Sequence, residues 1–298
     1  MIPDYQNALH PVVLSLPLSS GTLTLEGFSL SGIATWIVVR EMDVLFDVGE
    51  CALSAVPVQN VFLTHIHGDH SRCLLRHWEL RSMFRMDPAT YMVPESTVEG
   101  IRALVRVQAN MEGVKDEDVN YPVLRVVPPD GVTKVPLPHK KGLWSKAFPV
   151  DHRVTSVAYT IGRTVNKLKA EFAHLDGQAI GTLRKSGTVV TDSVDTPMVT
   201  FIGDCVGSSL DVHTHIFDSK VVIIECTYVD DEDQENARKN THTHLREIVD
   251  TLSRTPAPLC EALVLKHFSL KYDPTHIREM VMGALPPEWV NRTHILLP

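Results

Sequence analysis

The chain has 298 residues, 44% of them apolar, which is enough to bury a substantial core and excludes intrinsic disorder. A formal charge of −8 excludes a protein that holds nucleic acid by its overall charge, so any such contact must come from local basic patches. The five cysteines are scattered, odd in number and without a CxxC pair; this argues against a disulfide framework or a cysteine zinc site and fits a reducing compartment, the cytosol by default, with the nucleus or an organelle as the alternatives.

Met1 to Leu18 shows no basic segment followed by a long apolar core, and no run of about 18 apolar residues occurs, so neither a leader nor a membrane span is expected. Short strands are predicted at Leu23–Leu25, over Gly32–Arg40 and at Val44–Phe46, with glycines between them. The last delivers Asp47 at its end, followed by Val48 and Gly49. Asn60–Leu63 is another apolar strand, and it runs into Thr64-His65-Ile66-His67-Gly68-Asp69-His70. Alternate side chains of an extended segment share a face, so His65 and His67 point together, and a turn at Gly68 swings Asp69 and His70 round to them. Three imidazoles and a carboxylate within six residues suit a borderline ion such as zinc. Asp47 beside them reads as a carboxylate that orients a ligand histidine.

A helix is predicted over Ser71–Met83, a strand over Thr90–Val93, and a helix over Glu95–Asn110 with Val98, Ile101, Leu104 and Val105 on one face. Strands at Val123–Val127 and Lys134–Leu137 follow. The second half repeats the style. Ala147–Val150 leads to His152, Val157–Ile161 follows, Pro197–Ile202 leads to Asp204, Val221–Ile224 to Glu225, and Ala262–Lys266 to His267. A helix over Leu245–Leu252 and a strand over His294–Leu297 close the pattern. Strands and helices alternate, which argues an α/β protein with helices outside sheets. The stretch 163–195, polar and with little periodicity, reads as a long loop or insertion within one domain.

Four strands of the second half thus deliver a ligand-type residue at their ends, where layered α/β enzymes collect catalytic groups. His65, His67 and His152 make one imidazole set, and Asp69, His70 and His267 a second, with Asp204 placed to bridge them. Two ions about 3.5–4 Å apart that share a carboxylate hold a hydroxide at neutral pH and clamp a phosphoryl group. Lys140, Lys141 and Lys146 before His152, and Arg163, Lys167, Lys169, Arg184 and Lys185 after it, are basic patches flanking the site, where a phosphate backbone would approach.

The chain resembles the metallo-β-lactamase superfamily and, within it, the tRNase Z endonucleases, which remove the 3′ trailer of precursor tRNA; the short plant-type form is the nearest pattern. The carrying residues are Leu45 to Glu50, the His65 to His70 cluster, His152 to Tyr159, Phe201 to Asp204, Glu225 to Tyr228, Thr241 to His244, and Lys266 to Tyr272. The cluster alone specifies only the superfamily. The His267-Phe268-Ser269 run, its basic residue and Tyr272, with the Glu225 and His242 elements, point to tRNase Z.

That resemblance implies an αββα sandwich of two facing mixed sheets, residues 1–298 forming one domain of two similar halves. It implies two zinc ions per chain (manganese being the other candidate): one on His65, His67 and His152, one on Asp69, His70 and His267, with Asp204 between and Asp47 behind. Asp69 is tied to proton transfer and, with His242, delivers the proton to the departing 3′-oxygen after hydroxide attack, Glu225 and His242 being the pair that supports this protonation. His244, two residues on, is the other candidate for that histidine. Precursor tRNA and a second copy of the chain, meeting through the apolar helices after His70, are the implied partners. Bacterial members carry a long glycine- and proline-rich arm after His152; here the region lacks that composition and is expected to be compact. Cys205 stands in place of a common threonine, and Lys271 in place of arginine, keeping the charge but losing the bidentate fork. The competing reading keeps fold and metals and changes the substrate to a small phosphodiester or lactone; a chain that has lost catalysis is the third.

Overall fold

The computed structural model describes residues 10–255 and 259–297; the first nine residues, which carry half of the segment expected to be leaderless, lie outside the described residues. Among the described residues, fourteen strands form two seven-stranded sheets. The first holds β1 (Val12–Leu18), β2 (Gly21–Leu30), β3 (Ala34–Val39), β4 (Val44–Phe46), β5 (Asn60–Phe62), β6 (Thr90–Met92) and β7 (Val123–Arg125), side by side in chain order. The second holds β8 (Val135–Pro136), β9 (Leu143–Val150), β10 (Ser156–Leu168), β11 (Thr191–Phe201), β12 (Val221–Glu225), β13 (Ala262–Lys266) and β14 (Thr293–Ile295), also in chain order. Each sheet begins with three antiparallel pairings and ends with three parallel ones. The two halves of the chain therefore share one topology.

The central strands are apolar on both faces because each sheet is covered on both sides. Phe46, Phe62, Tyr159, Phe201, Ile223 and Val264 fill the layer between the sheets. Phe46 and Phe201 stack across it with ring centroids 4.5 Å apart. Their neighbours along the strands, Leu45, Val61, Val222, Ile224, Leu263 and Leu265, belong to the outer core beneath the helices. The described helices are α1 (Gly68–Ser71), α2 (Leu74–Met83), α3 (Val98–Met111), α4 (Gly177–Lys185), α5 (Ser208–Val212), α6 (Gln234–Asn240), α7 (Leu245–Arg254), α8 (Pro274–Ala284) and α9 (Pro287–Val290), of which α4 buries no residue and takes no part in that cover. The result is the αββα sandwich.

Several elements differ from the reading of the sequence. The helix expected over Ser71–Met83 starts at Gly68 and is broken between Ser71 and Leu74, where Cys73 N donates to Val48 O and ties the chain to the loop after β4. On α3 Ile101 and Val105 are buried, but Leu104 is 57% exposed. The largest difference is 163–195. It is not a loop: β10 and β11 run on as a two-stranded ribbon from the pair Arg163 and Thr196 to the pair Leu168 and Thr191. Six pairs span about 20 Å at the usual rise per residue. Its tip carries α4, whose first turn is capped by Asp176 Oδ1 accepting from Ala179 N at 2.8 Å. A ribbon with no core beneath it is under no pressure to alternate, so its strands leave no periodic trace. The β-branched Thr164, Val165, Thr191, Val194 and Thr196 were the available signal.

Candidate metal centre

The expected ligands lie at the carboxyl ends of strands or in the turn and short helix that follow one of them, and those ends gather at one edge of the sandwich. β4 ends in Asp47, whose φ of 57° turns the chain sharply. β5 leads through Thr64 to His65; His67 precedes α1, and Asp69 and His70 sit on that helix. β9 leads to His152, β11 to Asp204, β12 ends in Glu225, and β13 leads to His267, itself left-handed at φ 65°. Unfavourable backbone of this kind persists only where the surroundings enforce it. Gly49 makes the packing possible, since a Cβ there would lie 1.8 Å from Asp69 O.

Seven side chains separated by up to 202 positions converge. His65, His67 and His152 form one group with its ligand atoms within 4.8 Å, and Asp69, His70 and His267 another. Asp204 Oδ2 lies 3.3 Å from His70 Nε2, 3.2 Å from His267 Nε2 and 4.0 Å from His65 Nε2. It therefore touches both groups.

The hydrogen bonds behind the rings show which nitrogens face inward. His70 Nδ1 donates to Asp47 Oδ2 at 2.8 Å, and His152 Nδ1 donates to Thr241 O at 2.8 Å. The Thr64 hydroxyl donates to the Asp47 carboxylate at 3.0 Å and accepts from His65 Nδ1 at 3.0 Å. With the outer nitrogen protonated, the inner one presents a lone pair. His65 Nε2 is buried with no partner among the described residues. His152 Nε2 faces His67 Nδ1 at 3.3 Å, and His70 Nε2 faces His267 Nε2 at 3.2 Å. Bare nitrogens so close repel unless a cation or a proton lies between them. Two nitrogens on a tetrahedral zinc at its usual bond length stand about 3.3 Å apart. The donor set and its spacing thus fit a divalent ion of this kind.

Burial works against charge on His70, but the Asp204 and Asp47 carboxylates override it and push the imidazole up to about 10, so a proton on Nε2 competes with a cation for that nitrogen. Burial, with the neighbouring His70, drives His65 well below its usual value. Burial would also raise Asp204, yet His267 and His70 hold it far down as a carboxylate.

A second pair lies beside the ions' place. Glu225, fully buried, accepts from His242 Nδ1 at 3.1 and 3.2 Å and from Cys205 N at 2.8 Å. Burial opposes the imidazolium, but the Glu225 charge raises His242 to about 9. The alternative histidine faces other partners: His244 caps α7, Nδ1 accepting from Arg246 N, while its Nε2 donates to Asp230 O at 2.8 Å. His242, at the join of α6 and α7, is the one at the site.

Reading the sequence missed the threonines that flank these residues, Thr64, Thr227 and Thr241, and Lys266, whose buried ammonium stands 3.7 Å from Asp204 Oδ1. Thr64 and Lys266 directly precede ligand-type histidines and Thr241 precedes His242, whereas Thr227 carries no such hint. Lys271, which stands in place of the family's arginine, is ion-paired with Asp233, which also takes the Tyr272 hydroxyl.

Sandwich and cluster together define a protein of the metallo-β-lactamase fold, and solved structures of that fold superpose on it. The YhfI protein of Bacillus subtilis, described as a metallo-β-lactamase fold protein, does so with a TM-score of 0.61 at 13% identity, over 96% of this chain and 97% of that one. The human short-form tRNase Z does so at 0.55 and 18% identity, over 82% and 91%. A scan against protein-family models finds no match. Curated sequences are more specific: the tRNase Z TRZ1 of Arabidopsis thaliana is 31% identical over 91% of this chain and 94% of its own length. The chloroplastic TRZ2 of the same plant is 28% identical over 87% and 71%. The chain belongs to the tRNase Z family.

Proposed function

We propose that this chain is a metal-dependent endoribonuclease that removes the 3′ trailer of precursor tRNA. The observation that carries it is the convergence of the seven ligand-type side chains with the Glu225 and His242 pair beside them, in a chain of this family. His65, His67 and His152 would hold one zinc ion, Asp69, His70 and His267 the other, and Asp204 Oδ2 would serve both. When bound, such ions lower the pKa of a water and offset charge on the phosphoryl oxygens.

The chain's own residues do the rest. Water adds to phosphorus and the bond to the 3′-oxygen breaks, so one proton must leave the water and one must reach the departing oxygen. We assign the first to Asp69 rather than a share in the second, because its side chain stays partly open to solvent while Gly32 N, donating to Oδ2 at 2.8 Å, orients it. His242 is placed for the second. Its Nδ1–H is engaged by Glu225, which leaves Nε2 to deliver the proton.

The substrate's backbone would meet the ribbon, where Arg163, Lys167, Arg184 and Lys185 are exposed. Lys134 is spoken for by Asp195. We place a homodimer contact on α2 and α3, where Met83, Val107 and Met111 are 68%, 57% and 84% exposed beside Leu104. The scattered cysteines support a cytoplasmic setting; no helix among the described residues is long and apolar enough to cross a membrane.

Incubation of the zinc-loaded protein with a precursor tRNA, with mapping of both product ends, tests the reading. A tRNA ending in a 3′-hydroxyl and a trailer beginning with a 5′-phosphate are expected. Intact precursor with cleavage of bis(p-nitrophenyl) phosphate or a lactone would transfer the site to a small substrate.

A further inference from the structure

We infer that Thr227 is a positioning residue, which locks His267 in the tautomer that presents Nε2 to the centre, and that it is the second-half equivalent of Thr64. The inference rests on the metal reading above. Thr227 Oγ1 contacts three groups: it donates to Glu225 Oε2, and it lies 3.0 Å from His267 Nδ1 and 3.1 Å from His267 O. A hydroxyl has one proton and two lone pairs. The Glu225 carboxylate, which His242 keeps ionised against burial, and the His267 carbonyl can both only accept, so the single proton goes to these two oxygens. The hydroxyl then has only a lone pair to offer the His267 ring, so Nδ1 must carry a hydrogen. Nε2 is left bare, 3.2 Å from Asp204 Oδ2 and 3.4 Å from Asp69 Oδ2.

Thr64 does the same in the first half, between the Asp47 carboxylate and His65 Nδ1. The sequence hides the parallel. Thr64 directly precedes the histidine it serves, whereas Thr227 follows its carboxylate by two residues and meets a histidine forty residues on. Both are buried, at 0% and 2% exposure, so water cannot replace the hydroxyl. The two carboxylates also differ in what else they hold. Asp47 takes a second ligand directly, His70, while Glu225 takes His242. Thr227 thus connects a group of the proton pathway to a group facing the cations.

Partners of this kind typically change metal affinity by about 10- to 100-fold when removed. The test is competition for zinc between the protein and a chromophoric chelator, on wild type, Thr227→Val, Thr227→Ser and Thr64→Val, with thermal unfolding recorded on each. Valine keeps the shape and loses the hydroxyl; serine keeps the hydroxyl. The expected result is two zinc ions per wild-type chain, one of them weakened about 10-fold or more in T227V, and recovery in T227S to within about threefold of wild type. T64V should weaken the ion held by His65. A wild-type chain that binds two ions while T227V holds both within about threefold overturns this inference alone. So does a serine variant as weak as the valine one. A wild-type chain that takes up no zinc overturns the metal reading and this with it.

Discussion

The two halves of the sandwich share a strand order and differ in how they supply the centre. The first delivers His65, His67, Asp69 and His70 from one strand end and one turn, so four groups are placed by a single local conformation. The second delivers His152, Asp204, Glu225 and His267 from four strands, and His242 from the join of two helices. It also extends β10 and β11 into the ribbon, for which the first half has no counterpart. The repeated topology puts carboxyl ends of strands at one edge in both halves; what each half then hangs there is a matter of sequence. A compact motif can be placed by six residues, whereas a dispersed one needs the whole sheet in register.

Variants separate these contributions. Asp204→Ala, which removes the group shared by both sets, should abolish hydrolysis and lower zinc per chain together, read by metal analysis and cleavage of precursor tRNA; retained cleavage would remove the bridging role. If His242 delivers the proton, as proposed, His242→Ala should cost about 10²- to 10⁴-fold in kcat with zinc content at the wild-type level; a fall in zinc content would instead make it a ligand with Asp204 and His267, whose ligand atoms lie within 4.8 Å of its own. Glu225→Gln refines this. Loss of the carboxylate lowers the His242 pKa from its raised position, so the alkaline limb of the kcat profile should move to lower pH. An unmoved limb would detach Glu225 from the histidine.

Away from the centre, the ribbon of the second half and the helix layer of the first can be tested apart. Lys167→Glu with Lys169→Glu should weaken tRNA binding and reduce the salt slope by about one unit per lysine; an unchanged slope would take the ribbon off the contact surface. His77 on α2 is buried, held by Tyr91 OH at 2.8 Å and Ala55 O at 3.3 Å, and burial depresses it to about 4. The unfolded chain binds this proton near pH 6.5, so the folded state loses stability as pH falls from about 6.5 to about 4, by about 3 kcal/mol in all. His77→Gln should flatten the fall in denaturant midpoint over that window, leaving the behaviour below it unchanged.

Part of this was open to a reader of the sequence. The His65 to His70 cluster is legible because strand and turn geometry act over a few residues, and apolar runs ending in His152, Asp204, Glu225 and His267 could be seen one by one. The ribbon was not, because strands with nothing beneath them carry no hydrophobic period, and 163–195 looked structureless until backbone pairing was seen. Leu104 looked like core and is exposed, since helical spacing gives a face but not its edges.

The choice of His242 over His244 could not be made from two histidines two residues apart; it fell to the helix start that consumes His244 as a cap. The same holds for Thr227 and Lys266, whose neighbours in space are distant in the chain. By itself, then, the sequence determined which strands end in ligand-type residues, because that chemistry is written locally. Only the tertiary structure decided which nitrogens face inward and which hydroxyl holds them there, because a tautomer is set by hydrogen bonds to partners that the fold, not the chain order, brings within 3 Å.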